Sequence, residues 1–309
     1  MKKKKSIIST IVLLLALLVG LSVMLYPIVS NWWNERHQAK AIATYQNSVE
    51  QLDESECERI FAEAEEYNRQ LFETPAPLLN YELVPNYDKI LDISGTGIMG
   101  YITIPQLQLE LPIYHGTSPE VLNIAVGHLQ GSSLPVGGEN THAVISAHRG
   151  LPSAKLFSDL DDLAEGDTFT VTVLDRTLTY EVDLISIVLP EETEKLDMIK
   201  GMDYVTLTTC TPYGINTHRL LVRGHRVENP EQLEKTKVKA DAVQVDSMQV
   251  IPVIAAPLVL ILLISWTFGG KKKPFPYGDP LSALDIKNTK SKSDTAPKKP
   301  EAENGGGDK

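Results

Sequence analysis

Tyr204-Val205-Thr206-Leu207-Thr208-Thr209-Cys210 runs directly into Thr211-Pro212-Tyr213-Gly214, and Arg219-Leu220-Leu221-Val222-Arg223 follows soon after. The first run alternates and is rich in β-branched residues, the pattern of a strand. The Pro and Gly behind it turn the chain out of a sheet. The Cys210 thiol is therefore expected at a rim and not in a core. If the second run returns antiparallel, Arg219 comes close to Cys210. A guanidinium in that place stabilises a thiolate, or the oxyanion of a tetrahedral intermediate. The pair alone is ambiguous, because a buried inert thiol beside a surface arginine would leave the same trace.

Working outward, short strands are expected over 101–104, 109–114, 143–146, 168–173, 177–188 and 204–209, with a turn at Asp175-Arg176. A short helix is expected over 156–163 with Ser153 as its cap. Many short strands and few helices make this region mostly β, a closed barrel or a sandwich. The strand ending at Ser146 leads into Ala147-His148-Arg149-Gly150. An imidazole at a strand exit can approach a rim thiol, and its ordinary pKa near 6.5 suits proton transfer to a leaving amine. His115, His128, His142, His218 and His225 compete for that role, and the pattern does not choose among them.

Ahead of the β region, 34–72 lacks Pro and Gly and repeats apolar residues at spacings near three and four, an amphipathic helical pattern that allows a break into two helices. Pro75 and Pro77 end it. Residues 7–29 form an uncharged apolar run preceded by Lys2 to Lys5 and followed by Trp32 and Trp33. At about 1.5 Å per residue it covers a hydrocarbon core of about 30 Å. Its length and the lack of a small-residue cleavage site favour an uncleaved anchor over a signal peptide. A second such run, 250–268, precedes Lys271, Lys272 and Lys273. The positive flanks put both termini in the cytoplasm and 34–249 outside.

The net charge is −11; the N-terminal lysines carry +4 and 269–309 carries +3, which leaves −18 on the stretch between. So acidic a body argues against nucleic acid as a partner. The two cysteines, Cys57 and Cys210, cannot form a closed zinc site, and no metal or cofactor is expected. Cys57 falls in the helical stretch and Cys210 at a strand end, so a disulfide between them is not expected.

Thr206-Leu207-Thr208-Thr209-Cys210 with Arg219 resembles the T-L-x-T-C…R signature of sortases. The continuation to Val222-Arg223-Gly224-His225-Arg226 is similar to class C, the pilin-polymerising sortases. So are Ala147-His148-Arg149-Gly150-Leu151-Pro152, Lys155-Leu156-Phe157, Pro112-Ile113-Tyr114-His115-Gly116 and residues 95–104. The resemblance implies a sortase-type eight-stranded β-barrel over 92–228. Around it stand a basic N-terminus (1–6), an anchor (7–29), a helical stalk and lid region (34–91), a linker (229–249), a second transmembrane helix (250–268) and a disordered cytoplasmic tail (269–309).

The resemblance also implies a mechanism. Cys210 attacks the Thr–Gly bond of an LPXTG-like sorting signal and forms a thioester. His148 shuttles the proton, Arg219 holds the oxyanion and substrate backbone, and Thr209 helps to place the substrate. In class C the accepting amine is a lysine of a pilin subunit. A sortase that anchors surface proteins to peptidoglycan is the alternative, and a non-catalytic membrane scaffold is another. One departure stands out. Class C members commonly carry an Asp-Pro-aromatic lid before the barrel. Residues 73–94 contain none, and the nearest material is Tyr81-Glu82-Leu83-Val84-Pro85-Asn86-Tyr87-Asp88.

Overall fold

The structure, a computed structural model, describes residues 2–229, with side chains from Ile8 onward. The expected second span, most of the linker and the tail lie outside the described residues. Helix α1 (Lys2–Val49) is continuous from the apolar run into the amphipathic stretch, with Pro27 inside it. No break separates anchor from stalk. The break comes at 50–53, where Asp53 caps α2 (Glu54–Glu73) in a reciprocal capping box with Glu56. That arrangement satisfies backbone N–H groups that a helix start leaves unpaired.

Eight strands close a barrel in the order β1 (Ile98–Ile104), β2 (Leu109–His115), β3 (Val126–His128), β4 (Thr141–Ser146), β7 (Asp203–Thr211), β8 (His218–Val227), β6 (Arg176–Val188), β5 (Thr168–Val173). The pairings β2·β3 and β4·β7 are parallel and the others antiparallel, so the sheet is mixed. Closure leaves no open edge. The interior is filled from alternate positions of each strand, Val205 and Leu207 of β7 among them.

The registers define two ends. At one, called the rim here, lie Ser146, Val188, Cys210 and Arg219; at the other, the base, lie Thr141, Val173, Arg176 and Asp203. Buried tyrosines fasten the N-terminal elements to the barrel. The Tyr45 hydroxyl donates to Met99 O (3.0 Å) and accepts from Leu174 N (2.8 Å), which ties α1 to β1 and to the β5–β6 turn. The Tyr87 hydroxyl lies 2.8 Å from His128 Nδ1 and accepts from Gly116 N at 3.0 Å. The lid region is thus a run of short turns, including α3 (Pro77–Asn80), fastened by Tyr87 to His128 of β3.

One expected element fails. Residues 156–163 form no α-helix; Leu156 has a φ of 40° and only a 3-10 turn, Leu160–Asp162, is present. A residue in the left-handed region interrupts a right-handed helix. Ser153 therefore has no helix to cap, and its carbonyl accepts from Asn34 Nδ2 of α1 at 2.7 Å. A tertiary contact displaced the local preference.

Candidate active site

Cys210 pairs directly with Arg219 across β7 and β8. Directly opposed residues of an antiparallel pair share one face, so thiol and guanidinium emerge on the same side. On the other flank β4 runs parallel to β7, with Ser146 opposite Thr208. The ladder continues past the strand end, because Ala147 N donates to Thr208 O at 3.1 Å. Extending that register by two places sets His148 beside Cys210. A neighbouring hairpin and one strand distant in sequence thus bring His148, Cys210 and Arg219 into one row.

That row lies on the outer face of the barrel. Val205 and Leu207 point inward, so by alternation Thr206, Thr208 and Cys210 point outward. The β6–β7 connection folds back over this face. His142 links the two layers, with Nε2 2.7 Å from Thr206 Oγ1 and Nδ1 3.0 Å from Asp197 O. The result is a covered strip leading to a half-buried Cys210. Both cysteines are free; burial, then nearby carboxylates led by Asp175, pushes the Cys57 thiol up.

Each member of the row has a supporting shell. The loop after His148 is held by Arg149, whose guanidinium bonds Asp161 Oδ2 at 2.6 Å, and by Gly150 N donating to Ser158 Oγ at 3.1 Å. Gly150 has a φ of +74°, and a Cβ there would lie 2.6 Å from the Tyr213 ring, so only glycine lets the two loops meet. Arg219 Nη1 donates to His218 O at 3.1 Å. Among the described residues no carboxylate lies within ion-pair distance of Arg219, so its charge is not neutralised by the protein. Thr209 is buried on the inner face and donates to Ala147 O at 2.9 Å. It ties the β7 end to the residue before His148.

The structure also separates the histidines that the sequence left level. His128 is enclosed between Tyr87 and Ser133 O, and desolvation lowers its pKa to about 4. Burial lowers His142 to about 4 as well. His115 lies between Gly97 O and Ile90 O. His225 sits opposite Tyr204 toward the base. His218 neighbours the row but pairs with Thr211 and contacts Thr217 Oγ1 at 2.9 Å. Among the described residues no cluster of His, Cys, Asp or Glu is arranged to hold a metal.

Residues 102–227 match the model of the sortase domain. Sortase C1 of Streptococcus agalactiae is 51% identical, with a TM-score of 0.57, and the match covers 62% of this chain and 100% of that one. Sortase C of Streptococcus pneumoniae is 44% identical, TM-score 0.56, covering 62% of this chain and 97% of that chain. Among curated relatives, sortase A of Streptococcus agalactiae is 33% identical over 142 residues, 45% of this chain and 54% of its own length, so the chain spans about half of that relative. The eight-stranded mixed barrel and these relatives, class C members among them, agree: the chain belongs to the sortase family of cysteine transpeptidases.

Proposed function

We propose that this sortase is a membrane-anchored pilin polymerase in which Cys210, His148 and Arg219 perform the chemistry. The observation that carries the reading is the shared row of the three residues across β4, β7 and β8. The Cys210 thiolate attacks the threonine carbonyl carbon of an LPXTG-like signal. The oxyanion that forms is stabilised by Arg219, a cation paired with no carboxylate among the described residues. His148 gives its proton to the departing glycine amine, the C–N bond breaks, and a thioester remains on Cys210. A lysine amine of the next pilin then attacks that carbonyl. His148 takes the surplus proton, and Cys210 leaves as thiolate. Peptide bond is exchanged for isopeptide bond with no oxidant and no cofactor. Thr209 acts as a positioning residue through Ala147 O.

The pilin assignment draws on the class C relatives, one of whose structures is described in terms of pilin substrate specificity. The anchor assignment draws on α1, whose apolar part has a mean hydropathy of 2.7 and is unburied. Exposed Trp32 and Trp33 follow at interface depth. The remaining topology, a second span at 250–268 and cytoplasmic termini, rests on the positive flanks.

The deciding experiment offers the intact protein a pilin bearing the sorting signal and reads the product by mass spectrometry. An isopeptide-linked dimer is expected. Changing the pilin's acceptor lysine to arginine, a poor nucleophile because it stays protonated, should abolish the dimer while the thioester still forms. In cells, loss of the protein should remove covalent ladders and spare general wall attachment. If wall attachment fails and ladders persist, the peptidoglycan-anchoring reading replaces this one.

A further inference from the structure

Helix α1 touches both ends of the barrel, in order along its length. Tyr45 is fixed at the base by Met99 and Leu174. Gln38 Nε2 donates to Ile124 O at 2.6 Å, at the entry to β3. Nearest the apolar run, Asn34 and Ser30 donate to Ser153 O at 2.7 and 3.3 Å, and Asn31 Oδ1 accepts from Lys155 N at 2.7 Å. Ser153 and Lys155 belong to the loop that leaves His148 and Gly150. The helix therefore meets the rim within a turn or so of Val29, where its apolar run ends. From Asn31 to Tyr45 it rises about 21 Å, so the base stands about that much farther from the apolar run than the rim does.

We infer that the Cys210 rim is held against the membrane surface, with the lipid headgroup layer as the partner of its exposed loops. The inference rests on the anchor reading of α1 and adds an orientation to it. The rim has suitable chemistry. Tyr213 and Ile215, at the tip of the β7–β8 loop, are 64% and 66% exposed. Ile187 and Leu189 are exposed where β6 ends beside Arg219. Aromatic and apolar side chains of this kind partition to headgroup depth. Tyr213 rests on Gly150, so the loop tip and the histidine loop face the lipid as one surface. Cys210 would then receive its acyl donor at the point where a peptide leaves the bilayer, and soluble acceptors would enter from the side.

Depth-resolved fluorescence tests this on the full chain in phosphatidylcholine–phosphatidylglycerol vesicles carrying spin-labelled lipids. Cys57→Ala and Cys210→Ala remove the native thiols. Single cysteines are then placed by Val19→Cys in the apolar run, Ile215→Cys at the rim and Glu139→Cys near the base, each carrying an environment-sensitive dye. Deep quenching at position 19, headgroup-level quenching at 215 and none at 139 is the expected result. Quenching at 19 with 215 as unquenched as 139 would overturn the orientation and leave the anchor standing. No quenching at 19 would remove the anchor and the orientation with it. As a second variant, seven helical polar residues inserted between Val29 and Ser30 add two turns, about 10 Å, with nearly the same facing. The insertion should abolish the quenching at 215, and, made separately in the chain that keeps Cys210, it should leave cleavage of a soluble signal peptide at the wild-type rate. Undiminished quenching at 215 in the insertion variant would count against the helix as the spacer.

Discussion

The two ends of the barrel are built to opposite specifications. At the base, polar groups are buried and answered: Tyr45 bridges Met99 O and Leu174 N, and Asn68 exchanges two hydrogen bonds with the Leu134 backbone at 3.0 and 2.7 Å. At the rim, residues 212–217 are exposed, Cys210 is half-buried, and Arg219 carries a charge that no carboxylate among the described residues answers. A buried polar group left without a partner costs stability, whereas a catalytic group already satisfied by the protein has little left for a substrate. On the proposed mechanism, the fold keeps its cohesion at one end and its reactivity at the other.

If that division is right, substitutions at the two ends should separate activity from stability. The largest expected effect is Cys210→Ala: no thioester and no transfer, with unfolding free energy changed by about 1 kcal/mol or less. Turnover in that variant near the wild-type rate would end the mechanism, and Cys57→Ala should leave turnover intact. Next comes Arg219→Lys. It keeps the charge and loses the planar fork, so kcat/KM should fall roughly 10²–10³-fold, the cost of one oxyanion donor, with Tm unchanged. Near-normal turnover would show that charge alone suffices.

The buried histidines of the barrel wall answer to pH instead. His128 and His142 are neutral when folded, with pKa values lowered from 6.5 to about 4. The unfolded chain binds protons that the folded chain refuses, so their contribution is full above pH 6.5 and drains as pH falls toward 4. Each accounts for about 3 kcal/mol over that window. Urea denaturation at stepped pH should show the slope, and His128→Gln should remove its share. A flat profile would mean that water reaches these rings. Smallest is Tyr45→Phe, which strands Met99 O and Leu174 N and should cost about 1–3 kcal/mol. Activity per folded molecule should not change; a proportionate loss of activity would mean that base and rim are coupled.

What the sequence disclosed follows the same division of local from distant. The β7–turn–β8 segment was legible because alternation and a Pro-Gly turn are local, and its antiparallel return put Arg219 opposite Cys210 as expected. Strand β3, three residues long, is too short to leave a periodic trace. The choice among six histidines was illegible from pattern alone, since it depends on the parallel β4·β7 pairing, which no turn chemistry announces. The helix expected over 156–163 failed for a related reason: α1 claims that loop through Asn31 and Asn34. Continuity of α1 was hidden as well, because one helix carries two different hydrophobic patterns end to end.

The parallel ladder between β4 and β7 carries a consequence in time. Cys210 and Arg219 meet through a neighbouring hairpin, a short loop closure. His148 meets Cys210 only after the intervening β5 and β6 have been accommodated, and non-local pairings of that kind form later than local ones. On the proposed mechanism, a half-folded chain would then own a nucleophile and an anion-binding cation with no proton donor to complete a turnover. Pulsed hydrogen exchange during refolding should protect the β8 amides before Ala147 N, and simultaneous protection would refute the sequence of events. With the outward orientation proposed above, a chain exported unfolded would in this way stay idle until its barrel closes, its last ladder serving as the safety catch.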